Sequence, residues 1–261
     1  MDAPVERQMA IDATLADWCS SGRLEAVVRC YRMSPPAVTI GRHQRYKTVL
    51  DEDAVRRRGW EWSRRVTGGG ALLHRHELNY AVVLSKSALS RFGDFGFQTA
   101  FRVIMSGLRD GLALLGCRPT VHLGDSKAGG TPSRSAHGLC ERSLTRYEIS
   151  IDARKAVAAA QLMLRGGCLQ HGTIYLHAPQ PEDRFWPELR LGAQDTSRWW
   201  AAAEALGDKG DSIDLLEDLL IKGLAAHLRV SLEVARLGAE FDEAVDALMA
   251  RWAQENYHRR R

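Results

Sequence analysis

A chain of 261 residues with a formal net charge of +4 is long enough to bury a core as one large domain, and it is too weakly basic to indicate a nucleic-acid partner. No apolar run is long enough to span a bilayer, and the first residues lack the apolar core of a signal peptide. The five cysteines are scattered without a Cys-x-x-Cys pair. This distribution of cysteines predicts reduced thiols in a cytoplasmic protein rather than disulfides or a zinc site.

The first half of the chain alternates between helical and strand-like segments. Apolar residues at helical spacing predict a first helix over residues 8–18, and β-favouring runs bounded by turns predict strands over residues 26–32 and 37–41. A short helix over residues 51–59 carries three arginines that we expect to face solvent. The remaining elements predicted before residue 124 are a strand over 78–84, a helix over 99–115 and a strand over 119–123.

The second half opens with a polar, glycine-rich stretch over residues 124–135, which predicts a mobile surface loop able to act as a lid. Strands are predicted over residues 147–151 and 169–176, with a turn at Asp152 and Ala153. Residues 155–163 fit either a strand or a short helix. Beyond residue 179 the pattern is helical, with a helix capped by Ser212, further helical segments over 231–236 and 239–252, and a frayed tail. This order predicts an α+β fold, with residues 1–261 forming one domain whose C-terminal segment is helical from about residue 212.

Three consecutive glycines, Gly68, Gly69 and Gly70, follow Arg64 and Arg65 and precede an apolar run. Glycines in such a row lose backbone entropy on folding, and a close approach of the backbone to a ligand is one reason to keep them. Two arginines just upstream supply fork-shaped donors for a phosphate or a carboxylate. The alternative is a glycine-rich turn beside a solvated arginine pair. The spacing is neither a Rossmann fingerprint nor a Walker loop.

Three blocks that occur in order along the chain carry a family resemblance. They are residues 64–83 (RRVTGGGALLHRHELNYAVV), residues 147–161 (YEISIDARKAVAAAQ) and residues 169–174 (LQHGTI). Together with MAID at residues 9–12 and AVTIG at residues 37–41, this pattern resembles the lipoate–protein ligase and octanoyltransferase family. The resemblance implies a mixed, largely antiparallel sheet flanked by helices, as in biotin protein ligases, and it implies attachment of a lipoyl or octanoyl group to one lysine of a lipoyl domain.

Within that family, the resemblance implies a cysteine-dependent octanoyltransferase. Cys140 matches the position of the nucleophile in that branch, just before the strand of the second block, and Lys155 matches the family's essential lysine. The implied reaction takes the octanoyl group from acyl carrier protein, holds it on Cys140 as a thioester and needs no cofactor. The implied acceptors are lipoyl domains such as the glycine cleavage H protein and the acyltransferase subunits of 2-oxoacid dehydrogenases. No nucleic acid or membrane is expected to be a partner.

The substrate-binding residues that the resemblance implies come from all three blocks. They are Arg65, Thr67, Gly68, Gly69, Gly70, Ala71, His74, Gln161, His171 and Gly172. Lys155 or His171 is expected to take the proton from the attacking amine. Each histidine also fits a hydrogen-bonded structural role, and Lys155 also fits an exposed hairpin lysine. We further expect Gly69→Val to abolish acyl binding more than folding.

The chain departs from the family pattern at Arg75, where an aspartate is usual, and at Ala158 and Ala159, where glycine and serine are usual. These departures put adenylate chemistry in more doubt than thioester chemistry, and they leave open a divergent non-catalytic protein that binds lipoyl domains. Some ligases of the family also carry a cysteine at the Cys140 position, so an ATP- and Mg²⁺-dependent lipoate–protein ligase acting through an acyl-adenylate stays an alternative. The run HRHE at residues 74–77 superficially resembles a cluster of metal ligands, which adds a metal-dependent enzyme as the last alternative. The last is disfavoured, because His74 and His76 lack the helical spacing of zinc hydrolases, and no metal site is predicted.

Overall fold

The computed structural model of the chain describes residues 2–122, 148–177, 199–207 and 213–260. The predicted lid over residues 124–135, the candidate nucleophile Cys140, the predicted cap Ser212 and the first part of the helical pattern after residue 179 lie outside these residues. The described strands are β1 (Asp2–Ala3), β2 (Ala26–Met33), β3 (Ala37–Ile40), β4 (Glu61–Arg64), β5 (Leu72–His74), β6 (Glu77–Ser85), β7 (Thr120–Val121), β8 (Ile149–Ile151), β9 (Arg154–Lys155), β10 (Ala158–Met163) and β11 (Gly167–Tyr175).

The described helices are α1 (Val5–Ser20), α2 (Tyr46–Val49), α3 (Glu52–Arg57), α4 (Lys86–Ser90), α5 (Phe97–Ala113), α6 (Ala203–Leu206), α7 (Ile213–Leu228) and α8 (Gly238–Gln254), followed by one 3-10 turn, Tyr257–Arg259. In the part of the chain that the structure describes, no helix combines the length and the apolarity needed to cross a membrane.

The strands form mixed sheets. The largest has the order β1-β2-β6-β11-β10, in which β1 and β2 are parallel and the other neighbours are antiparallel. A smaller sheet, β4-β3-β5, contains one parallel and one antiparallel pair, and β7-β8-β9 is antiparallel. This confirms the α+β class with a mixed, largely antiparallel sheet.

Both faces of the large sheet are covered by helices, as the fully buried strand β6 requires. Successive side chains of a strand point to opposite faces. Tyr80 and Val82 therefore alternate with Ala81 and Val83 and join different apolar cores. The core that contains Tyr80 is closed by α5 and α7, which pack on each other, and the core that contains Ala81 is closed by α1 and α8.

Strand pairing determines the secondary structure of residues 155–163, for which the sequence fits either a helix or a strand. Residues 158–163 lie in β10, because their backbone pairs with β11 from Ala158 opposite Thr173 to Met163 opposite Cys168. The turn predicted at Asp152 and Ala153 is confirmed. Both residues adopt left-handed φ angles, 49° and 60°, as a two-residue hairpin between β8 and β9 requires. Trp199 and Trp200 are buried, as expected of core residues.

Two sequence expectations near the C-terminus are wrong. Residues 231–236 are not helical; Val234 is fully exposed, and a short segment that buries no apolar face gains too little to form a helix. The tail is not frayed within the described residues. His258 in the 3-10 turn bonds to the Arg64 amide and to Glu6, and Tyr257 donates to the Arg65 carbonyl at 3.3 Å.

Candidate active site

The glycine loop, residues 66–71, connects β4 to β5 and packs directly against the end of β3. The Arg42 amide donates to the Thr67 carbonyl at 2.8 Å. A Cβ on Gly41 would lie 2.0 Å from the Gly69 carbonyl oxygen, so the two backbones touch. Gly69 has a φ of +89°, a left-handed conformation that side chains with a Cβ rarely adopt. A β-branched residue is strained at this φ, so Gly69→Val should cost stability as well as acyl binding, and which loss is larger stays a prediction.

The arginines upstream of the loop are buried, and most of their guanidinium donors are used inside the protein. Arg64 is 1% exposed and Arg65 is 2% exposed, which rules out the solvated pair. Nη1 of Arg65 donates to the carbonyl and hydroxyl of Thr39, and its Nη2 donates to the carbonyls of Gly68 and Gly70 at 3.1 and 2.6 Å. Arg65 thus holds the shape of the glycine loop, and these contacts do not support its predicted direct contact with a ligand.

His171 on β11 links the loop to a buried carboxylate on α1. Its Nδ1 lies 2.7 Å from Asp12 Oδ2, and its Nε2 lies 2.7 Å from the Thr67 hydroxyl. Asp12 also accepts from Tyr31 at 2.8 Å and from Arg29 at 2.6 Å. Because both ring nitrogens of His171 are engaged and the residue is 2% exposed, the structure favours a positioning role over that of a base for the amine.

Burial and charge set the ionisation of this group. Burial is the main reason that the pKa of His171 is lowered, against the opposing effect of Asp12. Burial would raise the pKa of Asp12, but Arg29, His171 and Tyr31 together outweigh it and lower that pKa. The arrangement is therefore a neutral imidazole that donates from Nδ1 to a carboxylate and accepts the Thr67 hydroxyl proton at Nε2.

A second histidine supports the loop from its other end. His74 on β5 has its Nε2 at 2.8 Å from the Thr39 hydroxyl and its Nδ1 at 3.2 Å from Glu77 Oε1. The same Thr39 hydroxyl accepts from Arg65 at 2.7 Å, so His74, Thr39 and Arg65 form a continuous chain to the glycine carbonyls. This is the hydrogen-bonded structural role left open for His74.

Lys155, the candidate catalytic lysine, is 3% exposed on β9, so it is not an exposed hairpin residue. Its Nζ lies 2.6 Å from Glu148 Oε1, in an ion pair whose two side chains are 3% and 4% exposed. The ammonium also lies 5.5 Å from the centre of the Trp199 ring. A buried cation held by a carboxylate and an aromatic face is a strong local charge, because screening by water is weak there.

The glycine loop and the lysine strand meet on one side of the large sheet. Thr67, in the loop, bonds to His171, and Ala71 is fully buried. Leu72, directly after the loop, packs with Ala158 and Trp199 in one apolar cluster. Ala158 follows Lys155 by three residues. The structure thus brings the loop, His171 and the Lys155 strand together.

Gln161 and Gly172 face the other way. Cross-strand partners share a face; Ala160 pairs with His171, and Gln161 pairs with Gln170 on the opposite face. Gln161 Nε2 donates to the Phe97 carbonyl at 2.9 Å, at the start of α5. A Cβ on Gly172 would lie 1.8 Å from the Ala158 carbonyl, so close strand packing explains this glycine. The geometry does not group either residue with His171.

Several residues of these networks received no role from sequence, among them Asp12, Arg29, Thr39 and Glu148. The sequence could have predicted a role for Asp12, because a carboxylate on the apolar face of an amphipathic helix needs a buried partner. Glu148 lay inside a recognised block without a role. Thr39 and Arg29 lie on strands, where an isolated polar residue does not reveal its partner.

The cysteines that the structure describes are unsuited to nucleophilic catalysis. Burial raises the pKa of Cys19 and Cys30 to about 12 and that of Cys168 to about 11, so these thiols stay protonated at neutral pH. Burial, with a contribution from Asp152, also raises the pKa of the half-buried Cys117.

Comparison with known proteins shows the family of the chain. Residues 4–183 match the model of the lipoyl protein ligase A/B catalytic domain. Octanoyltransferase LipM of Kyrpidia tusciae is 31% identical, covering 97% of this chain and 94% of the relative, and its counterpart in Lysinibacillus sphaericus is 34% identical, covering 92% and 89%. The bi-partite lipoate protein ligase of Thermoplasma acidophilum shares the fold, with a TM-score of 0.75 at 20% identity over 99% of this chain and 94% of that chain. The chain belongs to the lipoyl protein ligase A/B catalytic domain family.

Proposed function

We propose that the protein is an octanoyltransferase of lipoate biosynthesis, which moves an octanoyl group from acyl carrier protein to a lysine of a lipoyl domain. The observation that carries the proposal is the similarity over nearly the whole chain to proteins named octanoyltransferase LipM. The buried Lys155 ammonium, held by Glu148, supports it, because a fixed positive charge can stabilise the oxyanion that develops in an acyl transfer.

The reaction consists of two exchanges at the acyl carbon. The Cys140 thiolate attacks the carrier thioester, and the carrier thiolate leaves, so one thioester replaces another. The neutral lysine amine of the lipoyl domain then attacks the enzyme thioester, an amide forms, and the Cys140 thiolate leaves. The second exchange releases one proton from the amine. No cofactor is consumed, in contrast to the ATP and Mg²⁺ of a ligase.

Lys155 is proposed to act in both exchanges through its charge. The ammonium favours the thiolate form of a nearby cysteine and stabilises the tetrahedral oxyanion. Glu148 holds the ammonium in place at 2.6 Å. The raised pKa values of Cys19, Cys30 and Cys168 leave these thiols poor competitors, which supports Cys140 as the acyl acceptor.

A lipoate–protein ligase is the second candidate, because the fold is shared with lipoate protein ligases. The two candidates differ in their need for ATP. If the protein is an octanoyltransferase, incubation with octanoyl carrier protein adds the mass of one octanoyl group to it. Transfer to a lipoyl domain then proceeds without ATP, and the kinetics are ping-pong.

Matched cysteine variants test the nucleophile. Cys140→Ser should lose the octanoyl adduct and rapid turnover, whereas Cys117→Ser, at a partly exposed thiol, should keep both. Lys155→Ala should slow both half-reactions. Normal activity of the Cys140→Ser variant with ATP and free lipoate would favour the ligase. A wild-type protein that folds normally but shows neither transferase nor ligase activity would favour a non-catalytic protein. The cytoplasmic location and the acceptor proteins named above stay predictions.

A further inference from the structure

A dense basic surface borders the glycine loop, on a chain whose overall charge is only slightly positive. We call it the basic rim and define it by Arg42, Arg45, Lys47 and Arg259, which are all exposed. Residues 41–50 contain no aspartate or glutamate. Part of the rim encloses a surface cavity of about 420 Å³, lined by Arg45, Tyr46, Lys47, Thr48, Asn256 and Arg259.

The basic rim is a built surface, because a buried arginine fixes the two segments that form it. Nη1 of Arg64 donates to the carbonyls of Gly41, Arg42 and Gln44 at 3.1, 3.1 and 2.7 Å. Its Nη2 donates to the carbonyl of Arg260 at 2.8 Å, and its Nε donates to that of His258. One guanidinium therefore holds the loop after β3 against the C-terminal 3-10 turn, and the exposed cations project from a fixed backbone.

Most of the charge of the basic rim is uncompensated. Arg259 pairs with Glu52. For Arg42, Arg45 and Lys47, the described residues provide no carboxylate within ion-pair distance; Lys47 lies 5.8 Å from the Tyr46 ring centre. Neighbouring cations of one sign without counterions raise the local potential and attract anions.

The basic rim is also continuous with the proposed acyl site. The Arg42 amide donates to the Thr67 carbonyl at 2.8 Å, and the Gly41 backbone touches the Gly69 carbonyl. An anionic group bound at the rim would therefore lie beside the loop that borders the Lys155 strand.

We propose that the basic rim docks the acyl donor, by binding the phosphodiester of the carrier protein's arm and the acidic surface around it. This proposal rests on the proposed function. The charge distinguishes the two protein substrates. The donor's arm carries a permanent anion, which arginine and lysine bind through charge-assisted hydrogen bonds. The reacting group of the acceptor is a lysine, which carries no anion for the basic rim to bind.

The test compares two pairs of charge reversals with the same net charge. The Arg45→Glu/Lys47→Glu variant changes the basic rim, and the Arg165→Glu/Lys222→Glu variant changes two exposed cations elsewhere. Each is assayed with octanoyl carrier protein and with octanoyl-pantetheine, which lacks both the phosphate and the protein. Binding of carrier protein with an unreactive octanoyl-amide arm is measured in parallel.

The rim variant should lose about tenfold or more in kcat/KM with octanoyl carrier, and should bind the carrier correspondingly more weakly. Its activity with octanoyl-pantetheine and its KM for the lipoyl domain should stay within about twofold, and the control variant should match the wild type. Wild-type kcat/KM with the carrier should fall as salt rises.

Equal losses with both donors, or a rise only in the KM for the lipoyl domain, would overturn the proposal. Unchanged carrier binding in the rim variant would overturn it as well. Absence of transfer from either donor by the wild type would refute the proposed function instead, and loss of carrier binding in the rim variant would still support the docking surface.

Discussion

Replacing Asp12 with asparagine should destabilise the protein strongly, although the change is nearly isosteric. Asp12 is fully buried and accepts from Arg29 at 2.6 Å, Tyr31 at 2.8 Å and His171 at 2.7 Å. The neutral amide leaves the Arg29 guanidinium, which is 11% exposed, without its counterion. Breaking such a buried pair costs about 3–5 kcal/mol, and we expect about 3 kcal/mol because Arg29 retains its bonds to Gln8.

That loss predicts a fall in Tm of about 6–12 °C, at about 2–4 °C per kcal/mol for a chain of this size. Thermal and urea unfolding measure it. Asp17→Asn is the matched control, since Asp17 is exposed on the same helix, and it should change stability by less than about 0.5 kcal/mol. A stability of the Asp12→Asn variant equal to that of the control would refute the assignment of a buried ion pair.

The Asp12 contribution should also show in acid. The folded-state pKa of Asp12 lies below its unfolded value, so the unfolded chain binds more protons as the pH falls. The stabilisation is therefore present above the unfolded pKa of about 3.9 and is lost as the pH falls through the folded value. The Asp12→Asn variant should lack that part of the acid profile; an identical slope in both proteins would contradict the lowered pKa.

Three further perturbations separate chemistry from folding. Gly68→Ala should keep its Tm, because nothing described lies within 4 Å of the added Cβ, and should lose octanoyl transfer if a ligand uses that space; unchanged transfer would place the ligand elsewhere. Glu148→Gln should slow acylation about tenfold or more, because the negative charge 2.6 Å from the Lys155 ammonium is removed, whereas Glu148→Asp should retain part of the rate; equal rates in single-turnover acylation would contradict the charge role. His171→Gln should flatten the decline of wild-type stability below a pH of about 6.5, by up to about 1.4 kcal/mol per unit, because the lowered pKa of His171 makes the unfolded state bind the proton first. Urea unfolding across that pH range measures this slope, and an unchanged slope would count against a buried neutral imidazole.

Sequence alone determined the elements whose signals are local. Apolar periodicity located α1, β6 and α5 to within a few residues, and the turn at Asp152 and Ala153 was located directly after the strand predicted over residues 147–151. Ordered blocks located the glycine loop and Lys155, and the family assignment was confirmed. These features depend on neighbouring residues, and neighbours are what a linear pattern reports.

The tertiary structure decided what each polar residue does. Residues 158–163 form a strand because they pair with β11, and the register of this pairing places Gln161 on the face opposite His171. The Arg65 side chain is buried because its guanidinium donates to the carbonyls of Thr39 and Gly70. The bond from His171 to Asp12 joins residues 159 positions apart, and the bond to Thr67 joins residues 104 positions apart. A buried polar group must find a partner wherever the folded chain offers one, and distances of that length along the chain leave no local pattern to read.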